Sequence, residues 1–376
     1  MITIVSVRTR KQKKDFVQFP LKLYKGNKYY VPCFYGEELN VLNHKSPYED
    51  VTESEFFLAY DGKKVVGRIQ GIIQKQFNEK YNTKRIRFTR FDAIDSQEVS
   101  DALFAALEKW GKEKGMDTVC GPLGYSDLER EGLLIEGFDE VQTFEEQYNY
   151  DYYQKLIENR GYQKEVDWVE SAITLPKEVD PRIEHIADHI LKKNDLHIVD
   201  TTKFSKKKFL KRYYDGFFDC ITEAYGDLYG YVPFTEKTRK MVIDSFFPII
   251  DLDEAIFIVD NEDKIVALSL TFPGVGKAVA KSNGHLYPSA LIRLLKTFKD
   301  PETIDLALIA VNKNYKNSGI TAVFVSEVVK RCQKYKHLDH LETNLNLEDN
   351  IAIRNMWNRF ESREHKRRRS YVKKLS

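Results

Sequence analysis

Cysteine is scarce in this chain: Cys33, Cys120, Cys220 and Cys332 lie far apart, with no C-x-x-C pair and no Cys/His ligand spacing. That excludes a disulfide framework and a zinc ribbon, and it fits a reduced compartment. The eight histidines are equally scattered, so no metal site is expected. No run approaches the roughly 18 apolar residues a membrane helix needs. The start, MITIVSVRTRKQKKDF, lacks the charged-then-apolar order of a secretory signal. The expected location is therefore cytoplasmic, with no membrane partner. An excess of one charge is missing as well: 59 basic against 57 acidic residues leave a net +2, so no global field draws nucleic acid, and none is expected as a partner. Sustained heptads are absent, which speaks against a coiled-coil arm.

Aromatic residues are plentiful, 22 tyrosines and 23 phenylalanines, and tyrosine suits half-buried groove walls that are dry at one end and wet at the other. Apolar residues at 42% and charged ones at 31% describe ordered globular domains. A length of 376 residues exceeds what one core usually sustains, so two domains are expected.

The stretch FFLAYDGKKVVGRIQGII reads as two strands turning at Asp61-Gly62. After a strand at 85–91, Asp95 or Ser96 caps a helix whose Val99, Leu103, Leu107 and Trp110 share one face, and Gly115 stops it. A strand at 118–120, a Gly- and acid-rich loop, a helix closed by Gly161 and a strand near 166–173 complete the first half. The prolines of TLPKEVDPRIEHIADH mark a junction. The second half repeats the order: short strand, helices over 209–224 and 235–247, a hairpin, an apolar strand at 304–311, a helix over 320–335, a strand at 340–344, a helix from Asn350 and a final strand. The expectation is an α/β fold of two similar domains, 1–175 and 182–376, each a mixed, mostly antiparallel sheet flanked by helices.

The chemistry concentrates in LALIAVNKNYKNSGITAVFVSEVV, 306 to 329. An apolar strand enters a short polar loop, Gly319 permits close backbone approach, and an amphipathic helix leaves. Such a loop aims consecutive N–H groups and a helix start at one spot, an anion site of the kind a pyrophosphate fills. This stretch resembles the phosphate loop of the GNAT superfamily of acyltransferases, Gln/Arg-x-x-Gly-x-Gly/Ala. Lys316, Asn317, Ser318, Gly319, Ile320 and Thr321 stand in those places in order; Lys316 and Thr321 depart from the pattern, one keeping the positive charge and the other staying small. The resemblance implies an acetyl-CoA or other acyl-CoA held by the amides of this loop, with its pantetheine beside the strand ending at Ala310 and Val311. It continues through LETNLNLEDNIAIRNMWNRF, where Asn350 matches the Asn that begins the helix beside the thioester. Met356 and Trp357 occupy the region where that helix usually carries a tyrosine, and their spacing with Phe360 reads as core packing.

The order GPLGYSDLEREGLLIEGFDE then QYNYDYYQKLIENRGY is similar to bacterial tandem GNAT proteins over most of the chain. The first half then looks like the same fold with its cofactor loop worn away, since Asp92 and Asp95 stand where a basic residue and glycines are usual. The implied reaction is attack of a neutral amine, on a small molecule or peptide, upon the acyl thioester. It needs a base, an oxyanion donor and an acid for the thiolate. The candidate bases are Glu342 and Glu348, the donor Ala310 or Val311 N–H, and the acids Tyr315 or Tyr371. The loop from Gly121 to Glu140 is a candidate wall for a cationic acceptor, or a solvated acidic loop. The run REHKRRRSYVKK reads as a solvated edge strand, with contact to nucleic acid or to the coenzyme's 3′-phosphate as the alternative. Two rivals remain: a non-catalytic acyl-CoA sensor, and an aminoacyl-tRNA-dependent transferase of the tandem GNAT type.

Overall fold

The computed structural model describes residues 1–247 and 250–375. In chain order the first half runs β1 (Ile2–Ser6), α1 (Arg10–Leu23), α2 (Tyr35–Leu42), β2 (Thr52–Asp61), β3 (Lys64–Gln74), α3 (Lys75–Tyr81), β4 (Arg85–Ala93), α4 (Gln97–Glu113), β5 (Thr118–Gly121), β6 (Leu133–Glu136), α5 (Tyr152–Glu158) and β7 (Gln163–Thr174). The second runs α6 (Pro181–Lys193), β8 (His197–Ile198), α7 (Lys206–Tyr225), α8 (Glu236–Phe246), β9 (Ile256–Val259), β10 (Ile265–Pro273), α9 (Gly276–Ala280), α10 (Pro288–Lys299), β11 (Thr303–Val311), α11 (Thr321–Cys332), β12 (His340–Thr343), β13 (Asn346–Leu347), α12 (Ile351–Trp357) and β14 (Glu361–Lys374). The repeat expected from the sequence is present. Each half gives a strand, two helices, a hairpin, a strand, a long helix, a strand, a short helix and a strand.

The chain forms two compact units. Unit 1 comprises Met1–Val169, Val275–Leu295 and the terminal stretch from His365. Its sheet runs β1-β2-β3-β4-β5-β14, antiparallel except where β4 and β5 pair in parallel over Arg85–Arg87. Ser96 caps α4 by accepting from Val99 N, and the helix lays Val99, Leu103, Phe104 and Leu107 on the sheet. It sits close because two β3 positions beneath it are glycines: a Cβ on Gly67 would lie 2.8 Å from Leu103, and one on Gly71 2.7 Å from Leu107. The segment 275–295 docks through its backbone, with Tyr35 N donating to Gly284 O at 3.0 Å and the Tyr35 ring stacked on His285.

The basic carboxy-terminal run is not the solvated edge strand its composition suggests. In unit 1 it pairs with β5 over 371–374 and with β6 over 367–369. Arg368 is fully buried, and Arg369 meets Asp167 at 2.8 Å. Carboxylates from other elements neutralise the run, so it enters the sheet interior.

Unit 2 comprises Glu170–Gly274 and Lys296–Glu364. Its sheet starts from the end of β7 and runs β12-β11-β10-β9-β8. Here too a single parallel pair, β11 with β12, sits among antiparallel neighbours. Helix α11 buries Ala322 through Val325, Val328 and Val329, packing on Ile304, Leu306 and Ile256 and on Ala187 and Ile190 of α6. Met356 and Trp357 belong to this core, as their spacing indicated.

Candidate functional site

Strands β11 and β12 pair only from Thr303/His340 to Leu306/Thr343. Beyond that point, among the described residues, β11 continues to Val311 with a strand neighbour on one side alone; side chains reach its free edge at Ala307 O, from Asn344 at 3.4 Å, and at Ile309 O, from Tyr225. The cause is local: between Leu270/Leu308 and Phe272/Asp305, β11 carries one residue more than β10, a bulge that bends the strand where it leaves β12. The direction of the backbone groups past the bulge follows from one bond. Asn312 N donates to Val266 O at 2.8 Å while Val311 stands opposite Ala267. This makes Val311 and Ile309 the non-bonded positions of the β10 pairing, so their N–H and C=O groups point to the open edge. Of the two expected oxyanion donors, Ala310 therefore spends its amide on β10, and Val311 presents its own.

The open edge leads into a nine-residue loop, 312 to 320, before α11. Asn312 contacts Glu223, and Lys313 pairs with Asp227 at 2.6 Å, tying the loop to the end of α7. A 3-10 turn over Lys313–Tyr315 follows; the Tyr315 carbonyl accepts from both the amide and the hydroxyl of Ser318. Gly319 has φ +87°, in the region that only glycine enters at little cost. This turn sends the chain into α11, whose first turn receives no side-chain cap. Among the described residues no protein acceptor engages the amides of Asn317, Gly319, Ile320 or Thr321. Four amides and a helix start thus share one short stretch, with exposed Lys316 beside them.

Unit 1 repeats this strand geometry and closes it. The β4/β5 pairing ends at Arg87/Cys120, and β4 bulges between Thr89 and Asp92, with Arg90 at φ +48°. Ile94 N bonds Val66 O at 3.0 Å with Ala93 opposite Gly67, the same relation as Asn312 to Val266 with Val311 opposite Ala267. But Ala93 N donates to the Tyr153 hydroxyl at 3.1 Å, and Tyr152 donates to Ala93 O at 2.8 Å. Both tyrosines open α5, and the matching positions at the start of α12 are Ile351 and Ala352. The connection to α4 is only 94 to 96, and Ser96 caps it. Asp92 does not act there as a bare negative charge: Arg68 meets it at 2.8 Å and Tyr24 donates to it at 2.9 Å. The edge is closed by tyrosine hydroxyls and a capped helix start.

Glu342 is buried on β12 opposite Asp305, one residue before the strands part. Its Oε1 lies 3.0 Å from His340 Nε2, and this hydrogen bond, with help from Asp339, raises the imidazole pKa. Glu348 is half-buried in the turn before α12, and its carbonyl accepts from Arg354. Asn350 caps α12, accepting from Ile353 N at 3.4 Å. Tyr371 is a wholly buried core residue of unit 1 whose hydroxyl donates to Glu158 at 3.0 Å, an arrangement for packing rather than for proton delivery to a ligand. Tyr225, which the sequence reading missed, donates to Ile309 O at 3.0 Å and so places a hydroxyl on the open edge of β11. Its signal in the sequence is slight: a tyrosine at a helix end before Gly226. The loop from Gly121 to Glu140 folds into unit 1, with Ser126 bonded to Tyr48 and Glu131 buried. Burial raises the Glu131 carboxyl well above its ordinary value.

A mixed sheet whose central parallel strands part at a bulge before a connection into a long helix, built twice in one chain, is the tandem GNAT fold. Solved structures agree. A tandem GNAT protein from the clavulanic acid biosynthesis pathway matches 100% of this chain and 99% of its own with TM-score 0.55 at 9% identity. A GCN5-related N-acetyltransferase from Sphaerobacter thermophilus matches 100% and 96% with TM-score 0.50 at 12% identity. In sequence, the chain is 28% identical over 98% of its length to protein YghO of Escherichia coli, covering 95% of that protein. It is 24% identical over 84% of its length to the bacterial ceramide synthase of Caulobacter vibrioides, covering 82% of it. No family model matches.

Proposed function

We propose that unit 2 binds an acyl-CoA and transfers its acyl group to an amine. The observation that carries this reading is the open edge of β11 running into unengaged amides, where the same edge in unit 1 is filled. A pyrophosphate fits the amides of Asn317, Gly319, Ile320 and Thr321 beside Lys316. The pantetheine amides find partners in the Ile309 and Val311 backbone. The thioester carbonyl then lies within reach of Val311 N–H, which donates to the oxyanion as the amine attacks.

Glu342, coupled to His340, takes the proton from the amine; Tyr225 or Tyr315 returns one to the departing thiolate. The amide bond forms as the C–S bond breaks, with no acyl-enzyme. The likeness to a bacterial ceramide synthase supports including long-chain amines among the acceptors to be tried. A thiol-release assay over short and long-chain amines, with amide product identified by mass, tests the transfer. Binding of acyl-CoA without thiol release for any amine would leave a binder and remove the enzyme.

A further inference from the structure

We infer that the outer face of α10, with the turn before it, is a docking surface for an anionic lipid bilayer. Leu286, Tyr287, Leu291, Ile292 and Leu295 are 50, 44, 45, 55 and 68% exposed. Elsewhere among the described residues the large exposed apolar side chains are single and scattered: Met1, Tyr81, Ile186 and Ile351. Such scatter is ordinary, but five within ten residues make a patch.

Helix α10 has two apolar stripes. Ala290 and Leu294 are buried and hold the helix down. Leu291, Ile292 and Leu295 fall within an arc of about 100° on another side and meet water. The basic residues decide what covers them. From 274 to 299 the chain carries Lys277, Lys281, Arg293, Lys296 and Lys299 and no acidic residue. Lys277, Lys281, Lys296 and Lys299 are exposed. A second copy would set this ring against itself, like charge on like, whereas anionic headgroups match it while the leucines enter the acyl boundary. At 12 residues, about 18 Å, the helix is too short to span and suits the interface plane. The near-zero net charge of the whole chain hides this local run, and the lack of a long apolar stretch, from which no membrane partner was expected, does not bear on a surface helix.

The inference stands apart from acyl transfer and is tested apart from it. Flotation with vesicles of phosphatidylcholine plus phosphatidylglycerol, against phosphatidylcholine alone, should carry the full chain in the first case, less so as salt rises. The triple variant Leu291→Ser, Ile292→Ser, Leu295→Ser removes only exposed side chains. It should keep the parent melting temperature and lose at least roughly tenfold in vesicle partitioning, since burial of each apolar side chain drives insertion. Lys296→Glu with Lys299→Glu should weaken binding to anionic vesicles alone. Equal flotation of parent and triple variant, or no flotation of either, overturns the proposal. So does a concentration-dependent dimer in sedimentation that the triple variant abolishes, because the face would then be covered by a second copy.

Discussion

Glu38 shows how single residues set the stability of unit 1. Burial alone would raise its carboxyl, but Arg90 and Arg68 outweigh that and hold it at about 2. Because the folded value is depressed, the contribution is complete above the unfolded carboxylate range near 4.3 and fades as pH falls toward 2. Glu38→Gln should cost about 3 kcal/mol at neutral pH, since it takes the carboxylate from the largely buried Arg90 guanidinium while Arg68 keeps Asp92. It should also flatten the acid limb of the stability curve, and chemical denaturation at several pH values reads both. His340 works in the opposite sense. Its raised pKa means the protonated pair with Glu342 stabilises fully below about pH 6.5 and is lost as pH rises through the folded value. If Glu342 is the base, amine acylation should rise with pH across that same step, and His340→Asn should displace the limb; an unmoved pH profile removes the pair from the reaction. Neither partnership was legible beforehand. Glu342 was a candidate by its place in the chain, yet the hydrogen bond to His340 needs strand geometry, and Arg68, Arg90 and Glu38 meet only across long sequence separations.

Among elements, the β11–loop–α11 unit was the most legible because its signals are local: an apolar strand, a polar loop with one glycine, an amphipathic helix. What closes the equivalent edge in unit 1 was not. Tyr152 and Tyr153 look like any helix start until the hydroxyl of one is found on Ala93 N. Nor does composition reveal that β14 is an interior strand, since its arginines find Asp167, Glu136 and Glu146 from distant elements. The loop predicts two different outcomes for two substitutions. Gly319→Arg puts a side chain at φ +87° with its Cβ 2.8 Å from Ile190, so it strains the turn by about 1–2 kcal/mol besides blocking the amides. Lys316→Glu leaves the backbone alone and should weaken acyl-CoA binding by about tenfold or more through charge reversal. Calorimetric titration with an unchanged melting temperature would show the second effect to be local; unchanged affinity would take Lys316 out of the site.

At the scale of the molecule, one fold is built twice, with the edge beside the bulge filled by tyrosine hydroxyls at Ala93 in unit 1 and free at Val311 in unit 2. The order of elements was readable because each half announces its own periodicity. The exchange of segments was not: 275–295 and the stretch from 365 pack with unit 1 although both lie in the second half of the sequence. Such packing rests on contacts like Tyr35 with Gly284 and Val372 with Cys120, which no local pattern encodes. Among the described residues no helix is long and apolar enough to cross a membrane. The account turns on unit 2 alone receiving the acyl donor. Thermal unfolding of the parent and of Lys316→Glu, with acetyl-CoA and with longer acyl-CoAs, tests this most directly. The parent should gain about 2.7 kcal/mol at one hundred times the dissociation constant, and the variant distinctly less at the same concentration. An unchanged midpoint with every chain length, or an equal shift for both proteins, would contradict it.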